Sequence, residues 1–530
     1  MCTDRDITAD LDVVRLGQCV ERPLDRRPLP ERRERRSDLP VPRAVITADG
    51  IVDEAEQHPL KPSLAWNSTV LVAAQIVTAV LAMVTLIVIS RLLGATALGE
   101  WRFAVAVTGY LLVVSDAGLS AFAVREIARD HSLTPRLGWP VVVVQAVVAG
   151  ALYALLIAGL LLSGMSGRAF AVVAVLGLSA FVHALGIGHV FSAYERMSTI
   201  ALISITSVVT ATAVGLGALA ATHQLVWLAV LPLAVGVVTN LVLLRLGRRS
   251  FDLPFTLPTR AAAVALLRSG APFLIGGIAT QLIFSADAIL IEIFRGAHEL
   301  GIYAAGYAVP AQLLILTGPL MAAVYPRLSS HGSAGSASLT ATIAGVLGFL
   351  MLPLALGGAA VSDQLVRLLY GPGFHRSAVI LAIAMSLPAI GAFNSVVSQA
   401  LAARSLQHTV MRVALLTAAF NVAANIVLLP TVGIVGAAVA VAAAEVLTAI
   451  SFSVADRSLA ATAGREYAPN LLPAAVAAGA VLAARALWST PLGANIAIGA
   501  VVYIVLAVAV PTNGARRVME ALRTVRQRNR

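Results

Sequence analysis

Lysine is almost missing from this chain: among 530 residues only Lys61 is one. A phosphate-cradling Gly-x-x-x-x-Gly-Lys-Ser/Thr loop needs its lysine on the terminal phosphates, so a P-loop nucleotide hydrolase is excluded, and lysine catalysis is excluded beyond position 61. Cysteine is nearly as scarce. Cys2 and Cys19 both fall in a hydrophilic N-terminal tail, so neither a disulfide nor a thiolate metal site is implied for the rest of the chain. His183 and His189 lie six apart on different faces of an expected helix, and no His-Glu-x-x-His or Asp/Glu cluster stands elsewhere. No metal, no cofactor and no enzymatic centre are expected. Charge is sparse as well, at 12% of residues against roughly 25% for an average soluble domain.

What is abundant is apolar surface: 58% of residues are hydrophobic and the mean hydropathy is +0.87. A soluble core could not hide that much, whereas about 20 apolar residues in a row make one bilayer-spanning helix. The expected fold class is therefore an all-α polytopic membrane protein. A net charge of +11 would suggest nucleic acid in a soluble protein. Here the arginines separate apolar runs and fill the two ends, which is the pattern of membrane topology, and no nucleic-acid partner is expected.

The pattern divides into a basic, Pro-rich tail over 1–63, an N-lobe over 64–246, a linker over 247–269, a C-lobe over 270–456, a terminal helix pair over 457–511 and a basic tail over 512–530. The first tail lacks apolar periodicity and is expected to be disordered and cytoplasmic. Its twin arginines precede no apolar signal core. About fourteen spans are expected, as two bundles of six plus two. With the N-terminus inside, the internal loops place 14 arginines on the inner side and seven on the outer, so both termini are assigned to the cytoplasm. Within the linker, Arg260 to Arg268 has the composition of an amphipathic helix lying on the inner leaflet.

A repeat fixes the relation of the two halves. Gly94-Ala95-Thr96-Ala97-Leu98-Gly99-Glu100-Trp101 and Gly296-Ala297-His298-Glu299-Leu300-Gly301-Ile302-Tyr303 share the pattern Gly-Ala-x-x-Leu-Gly-x-aromatic. Each follows an apolar run ending in arginine, Arg91 or Arg295. The offset is an even number of spans, so the repeat is parallel, and both copies are expected to be outer-side corners.

Ionisable groups inside spans cost about 2.5–3.5 kcal/mol each on insertion scales and so face a cavity, a partner or water. Asp287 in the seventh span, with Glu292 beyond it, is a candidate for a proton- or ion-coupled role or for an interhelical hydrogen bond. Asp116, in Ser115-Asp116-Ala117-Gly118-Leu119, is a second ion-coupling candidate. Its competing reading is a carboxylate that caps backbone freed at a turn. Glu445 stands among alanines in the twelfth span. Gln75, Gln281, Gln312, Asn394, Gln399, Asn421 and Asn425 are polar residues that either join helices or line a hydrated path, and Asn421 and Asn425 share a helix face. Arg91 and Arg295, at span ends, either reach the head groups or pair with a phosphate across a cavity.

Several of these segments, in their order, carry a resemblance. Arg91 to Trp101, Asp116-Ala117-Gly118-Leu119 with Arg125-Glu126, Ala286-Asp287 leading to Leu300-Gly301-Ile302-Tyr303 and Tyr307, Tyr325-Pro326-Arg327-Leu328, Tyr370 to Phe374, and Asn421 to Pro430 followed by Gly433 and Gly436 are similar to the polysaccharide flippase (Wzx-like) branch of the multidrug/oligosaccharidyl-lipid/polysaccharide exporter superfamily. The likeness runs over about 66–511. It implies a MATE/MOP-like fold of two six-helix bundles around a central cavity. It implies movement of undecaprenyl-pyrophosphate-linked oligosaccharide from the inner to the outer leaflet of a bacterial cytoplasmic membrane. The implied partners are the lipid-linked glycan, membrane lipids and other polysaccharide-assembly proteins. A lipid II flippase, a cation-coupled multidrug exporter and a membrane glycan polymerase or ligase are the alternatives.

Overall fold

The structure is a computed structural model. It describes residues 62–509 apart from 252, 316, 319–320, 322–332 and 489, together with 514 and 516. The two tail assignments fall outside the described residues, wholly for 1–61 and almost wholly for 512–530, and so does Tyr325 to Leu328.

Two helices are far too long for one crossing. α1, Pro62–Asp116, has 55 residues, about 82 Å at 1.5 Å per residue, against a hydrocarbon core of about 30 Å. It folds back at Gly94 (φ 80°, ψ −172°), a conformation that a Cβ would oppose. Helix α8, Arg260–Ile315, does the same at Gly296 (φ 81°, ψ 172°). The two glycines that open the sequence repeat are thus the two hinges at which single helices become pairs of antiparallel arms.

Between them run α2 (Leu119–Arg129), α3 (Thr134–Leu162), α4 (Gly167–Ala184), the short α5 (Gly188–Ala193), α6 (Met197–Thr222) and α7 (Trp227–Ser250). After α8 come α9 (Ser333–Ala360), α10 (Ser362–Tyr370), α11 (Ser377–Ala384), α12 (Ser386–Ala403), α13 (Gln407–Val432) and α14 (Ile434–Ala455). The chain closes with α15 (Arg457–Tyr467), α16 (Leu471–Trp488) and α17 (Leu492–Ala509). Eleven described segments are long and apolar enough to cross a membrane, and a twelfth, 492–507, is shorter. Dividing the two bent helices at their glycines brings the count to the expected fourteen.

Some boundaries differ from expectation. The fourth span is shorter than 169–193: α4 ends at Ala184, where Gly186 and Gly188 follow and the Leu185 N–H turns back to the Phe181 and Val182 carbonyls, and Asn240 Nδ2 also donates to the Val182 carbonyl at 2.5 Å; His183 and His189 then sit on separate elements. Among the described residues the non-helical linker is confined to Phe251 and 253–259, and Arg260 to Arg268 continue without a break into α8.

One buried apolar cluster joins the lobes. Ile89, Leu98 and Ala104 of the N-lobe and Ile291, Leu300 and Tyr303 of the C-lobe belong to it. A second cluster, including Leu347, Val396, Tyr467 and Tyr503, seats the terminal helices on the C-lobe. Large apolar side chains such as Leu155 (69% exposed) and Trp488 (72%) are left outside, which suits a hydrocarbon surround rather than water.

Candidate functional site

The second arm of α1 and the first arm of α8 run antiparallel along the boundary between the lobes, and small residues let their backbones approach. At one end, Cβ atoms added to Gly99 and Gly301 would lie 1.8 Å from the carbonyl oxygens of Ala297 and Ala95. Further along, the Gln281 amide rests on Gly109, 2.4 Å from where a Cβ would stand. At the far end a Cβ on Gly118 would meet the Gly270 carbonyl at 2.2 Å, and one on Gly270 the Ala117 carbonyl at 2.3 Å. This is the close approach that small residues permit in membrane helix pairs. The expected corners are therefore in contact with each other, and Thr96 Oγ1 lies 3.5 Å from His298 Nδ1 across them.

Each corner is also tied to its own lobe by a forked ion pair. Arg168, at the start of α4, donates from Nε and Nη2 to Glu100 at 2.5 and 3.1 Å. Arg376, just before α11, donates to both oxygens of Glu299 at 2.5 and 2.9 Å. The bidentate geometry fixes direction as well as distance.

Asp287 sits under the seam and is 2% exposed. Its Oδ2 accepts the Tyr303 hydroxyl at 2.6 Å, and its Oδ1 accepts the Ala288 N–H at 2.8 Å. Tyr303 is fully buried and stacks on Tyr307, with ring centroids 5.6 Å apart. Arg102 reaches across the lobe boundary and donates to the Phe284 carbonyl at 3.0 Å, one turn before Asp287. The sequence marks Arg102 only by its place directly after the repeat, where the second copy continues with Ala304.

The guanidiniums of Arg91 and Arg295 are occupied by helix ends. Arg91 donates to the carbonyls of Leu369, at 2.8 Å, and Leu368 at the C-terminus of α10, which belongs to the other lobe. Arg295 donates to Leu429 at 2.9 and 2.7 Å and to Pro430 at 2.9 Å near the end of α13. Orphan carbonyls and the negative end of the helix dipole favour a cation at such places.

Asp116 closes α1 at the turn expected there, where Ala117 and Gly118 have φ of 51° and 72°. Its Oδ1 accepts Gln145 Nε2 at 2.8 Å and the Ser120 hydroxyl, joining three helices. It also lines a 280 Å³ cavity with His183, Gly118, Phe273 and Gly277 at the seam's far end.

The remaining polar candidates separate into two regions. Gln75 is exposed and lines a 330 Å³ groove in the N-lobe with Ser192 and Ser204. In the C-lobe, Asn394 Nδ2 donates to Glu445 Oε2 at 2.6 Å and to its carbonyl at 3.0 Å. Asn425 Nδ2 donates to Asn421 at 2.9 Å on the backbone oxygen and 3.2 Å on the side-chain oxygen. Asn394 Oδ1, Asn425 Oδ1 and Gln312 Oε1 are buried without a hydrogen-bond partner, and Gln399 is half-buried in α12.

Two six-helix lobes related by a parallel repeat, with an internal seam and an apolar exterior, define an all-α polytopic membrane protein. The chain belongs to the polysaccharide biosynthesis protein family, whose sequence profile matches residues 64–331. Among characterised sequences it is similar to a probable flippase, AglR, of Haloferax volcanii, with 24% identity over 211 residues, 38% of this chain and 44% of that one. The chain thus spans less than half the length of that relative. Among solved structures it resembles the lipid II flippase MurJ in an inward closed conformation, with a TM-score of 0.70 at 14% identity over 83% of this chain and 98% of the other. It also resembles an inward-facing multidrug resistance MATE family transporter of the MOP superfamily, with a TM-score of 0.55 at 14% identity over 74% of this chain and 98% of the other. These structural likenesses concern the fold.

Proposed function

We propose that this protein is an alternating-access flippase that carries polyprenyl-pyrophosphate-linked oligosaccharide from the inner to the outer leaflet of a prokaryotic cell membrane, for polysaccharide assembly. It is a carrier rather than a catalyst, and both termini lie in the cytoplasm. The observation that carries the reading is the seam: two lobes meet through bare backbone at Gly99–Ala297 and Gly301–Ala95, a contact that can part and re-form without breaking a covalent or metal bond. Membership of the polysaccharide biosynthesis family and the similarity to a protein named a probable flippase support it.

Asp287, with Tyr303 and Arg102 beside it, is assigned to the gate and its coupling to ion or potential, and Asp116 to the far end. With an inside-negative potential, each net negative charge moved outward gains about 2.3 kcal/mol per 100 mV. The partners are then the lipid-linked glycan, the surrounding lipids and the enzymes that build and polymerise the glycan.

The test is depletion of the protein in its host, followed by measurement of lipid-linked glycan on each leaflet. Accumulation on the inner leaflet is expected. No accumulation, together with increased sensitivity to dyes or drugs, overturns the flippase assignment.

A further inference from the structure

The groove at Gln75 differs in chemistry from the seam. Its lining is Gln75 and Thr78 from α1, Ser192 from α5, and Ile200, Ala201 and Ser204 from α6, beside Ala74, and none of these is charged. Gln75 precedes Gly94 by nineteen residues. At 1.5 Å per residue this is about 28 Å along the helix, so the groove lies at the end of the N-lobe remote from the touching corners.

The hydroxyl protons of the groove are unevenly committed. Thr78 Oγ1 donates to the Ala74 carbonyl at 2.9 Å, and Ser192 Oγ donates to the Gly188 carbonyl at 3.1 Å. Both oxygens then face a ligand with lone pairs alone. The exposed Gln75 amide offers two donors and an acceptor, and the exposed Ser204 hydroxyl one donor with its own lone pairs. Among the described residues that line it, the groove is therefore rich in acceptors and holds no cation.

That balance selects a ligand. A pyrophosphate brings only acceptors and negative charge, and would face lone pairs with nothing to neutralise it. A neutral polyol brings O–H donors to Thr78 and Ser192 and receives N–H donors from Gln75. Ile200 and Ala201 supply an apolar floor for the C–H face of a sugar ring. The 330 Å³ volume falls at the small end of ligand sites, which begin at about 300 Å³.

We propose that this groove is a binding subsite for a neutral sugar, with Gln75 and Ser204 as its direct hydrogen-bonding residues. The identification of that sugar with the glycan of the cargo rests on the flippase reading; the chemistry of the groove does not.

The experiment is saturation-transfer NMR on the full-length protein in lipid nanodiscs, with glucose, galactose, mannose and N-acetylglucosamine as probes and inorganic pyrophosphate as competitor. At least one sugar is expected to receive saturation, and excess pyrophosphate is expected to leave that signal unchanged. The double variant Gln75→Leu/Ser204→Val is expected to lose most of it. Gln75→Asn keeps the amide on a shorter arm and is expected to retain part of the signal, which separates loss of the site from loss of the fold. Absence of transfer for all four sugars, displacement by pyrophosphate, or equal signal in the double variant overturns the proposal. The flippase assignment fails separately: sugar binding at Gln75 without inner-leaflet accumulation on depletion keeps the subsite and removes the transport reading, whereas accumulation without binding does the reverse.

Discussion

Gly99 rests on the carbonyl of Ala297: a Cβ added to it would stand 1.8 Å from that oxygen, and Gly301 is placed identically against Ala95. The four residues belong to the two copies of the repeat, so a sequence echo becomes a reciprocal backbone contact about a pseudo-twofold axis. Nothing larger than hydrogen fits at either glycine while the corners touch.

Gly99→Ala is therefore expected to part the corners. Overpacking of this kind costs about 1–3 kcal/mol, which shifts the equilibrium ratio against the touching state by roughly fivefold or more. The readout is a disulfide between cysteines placed at Thr96 and His298, whose side chains are 3.5 Å apart, in a background with Cys2 and Cys19 replaced by serine. The cross-link is expected to form on oxidation and to stop transport, and Gly99→Ala is expected to suppress it. Equal cross-linking in the glycine and alanine proteins contradicts the corner contact.

Asp287 and Tyr303 give a second prediction. The hydroxyl at 2.6 Å is one of the carboxylate's two hydrogen-bond donors, and its removal leaves a buried oxygen unpaired at a cost of about 1–3 kcal/mol. Asp287→Asn is expected to abolish most transport at normal membrane levels, with Tyr303→Phe weaker in the same direction. Full complementation by Asp287→Asn removes the residue from the mechanism.

Arg295 and Arg91 hold helix ends in different places and should fail differently. Arg295→Ala strips the carbonyls of Leu429 and Pro430 within the C-lobe, so a lower Tm with an unchanged Thr96–His298 cross-link is expected. Arg91 binds Leu369 of the opposite lobe, so Arg91→Ala is expected to lower the cross-link yield as well. A phosphate role instead of a capping role would appear as lost transport with Tm and cross-link unchanged.

Acid sensitivity follows from two carboxylates outside the spans. Burial works against the charge of Asp456, yet the Leu459 N–H, the Ser458 hydroxyl and Arg404 outweigh it and hold the carboxyl below its ordinary value. Asp363 is alike, with burial opposed by Arg367 and Arg485. Their pKa is lower in the folded protein than in the unfolded chain. The stabilisation is thus complete above the unfolded value, about 3.9, and is lost as pH falls below it through the folded value. In detergent, Tm is expected to drop below about pH 4, and Asp456→Asn is expected to lower Tm at pH 7 while flattening that drop. An unchanged acid limb in the variant contradicts the assignment.

Much of this was legible before any coordinates. Apolar runs separated by arginines count the spans, because hydrocarbon solvation is a per-residue cost that accumulates locally. Gly94 and Gly296 could be placed at corners, because each opens a copy of the repeat that stands between two apolar runs. The turn after Asp116 could be read from Ala117-Gly118, but the carboxylate does not cap its backbone: it accepts from the side chains of Gln145 and Ser120 instead. Arg102 was missed because its partner is a backbone carbonyl 182 positions away, which no spacing rule indicates. The α4 terminus was misjudged although Gly186 and Gly188 mark the break in the sequence itself, within an otherwise continuous apolar run.

By itself, then, the sequence determined the fold class, the span count, the parallel duplication and the two corners. Each follows from hydropathy or backbone freedom, properties carried by neighbouring residues. Only the tertiary structure decided that the corners touch each other, that Arg91 and Arg295 are spent on helix ends, and that Gln75 shares a groove with Ser192 and Ser204. Those facts depend on which faces meet when helices far apart in the chain pack together, and side-chain direction across such distances is settled by packing rather than by local preference.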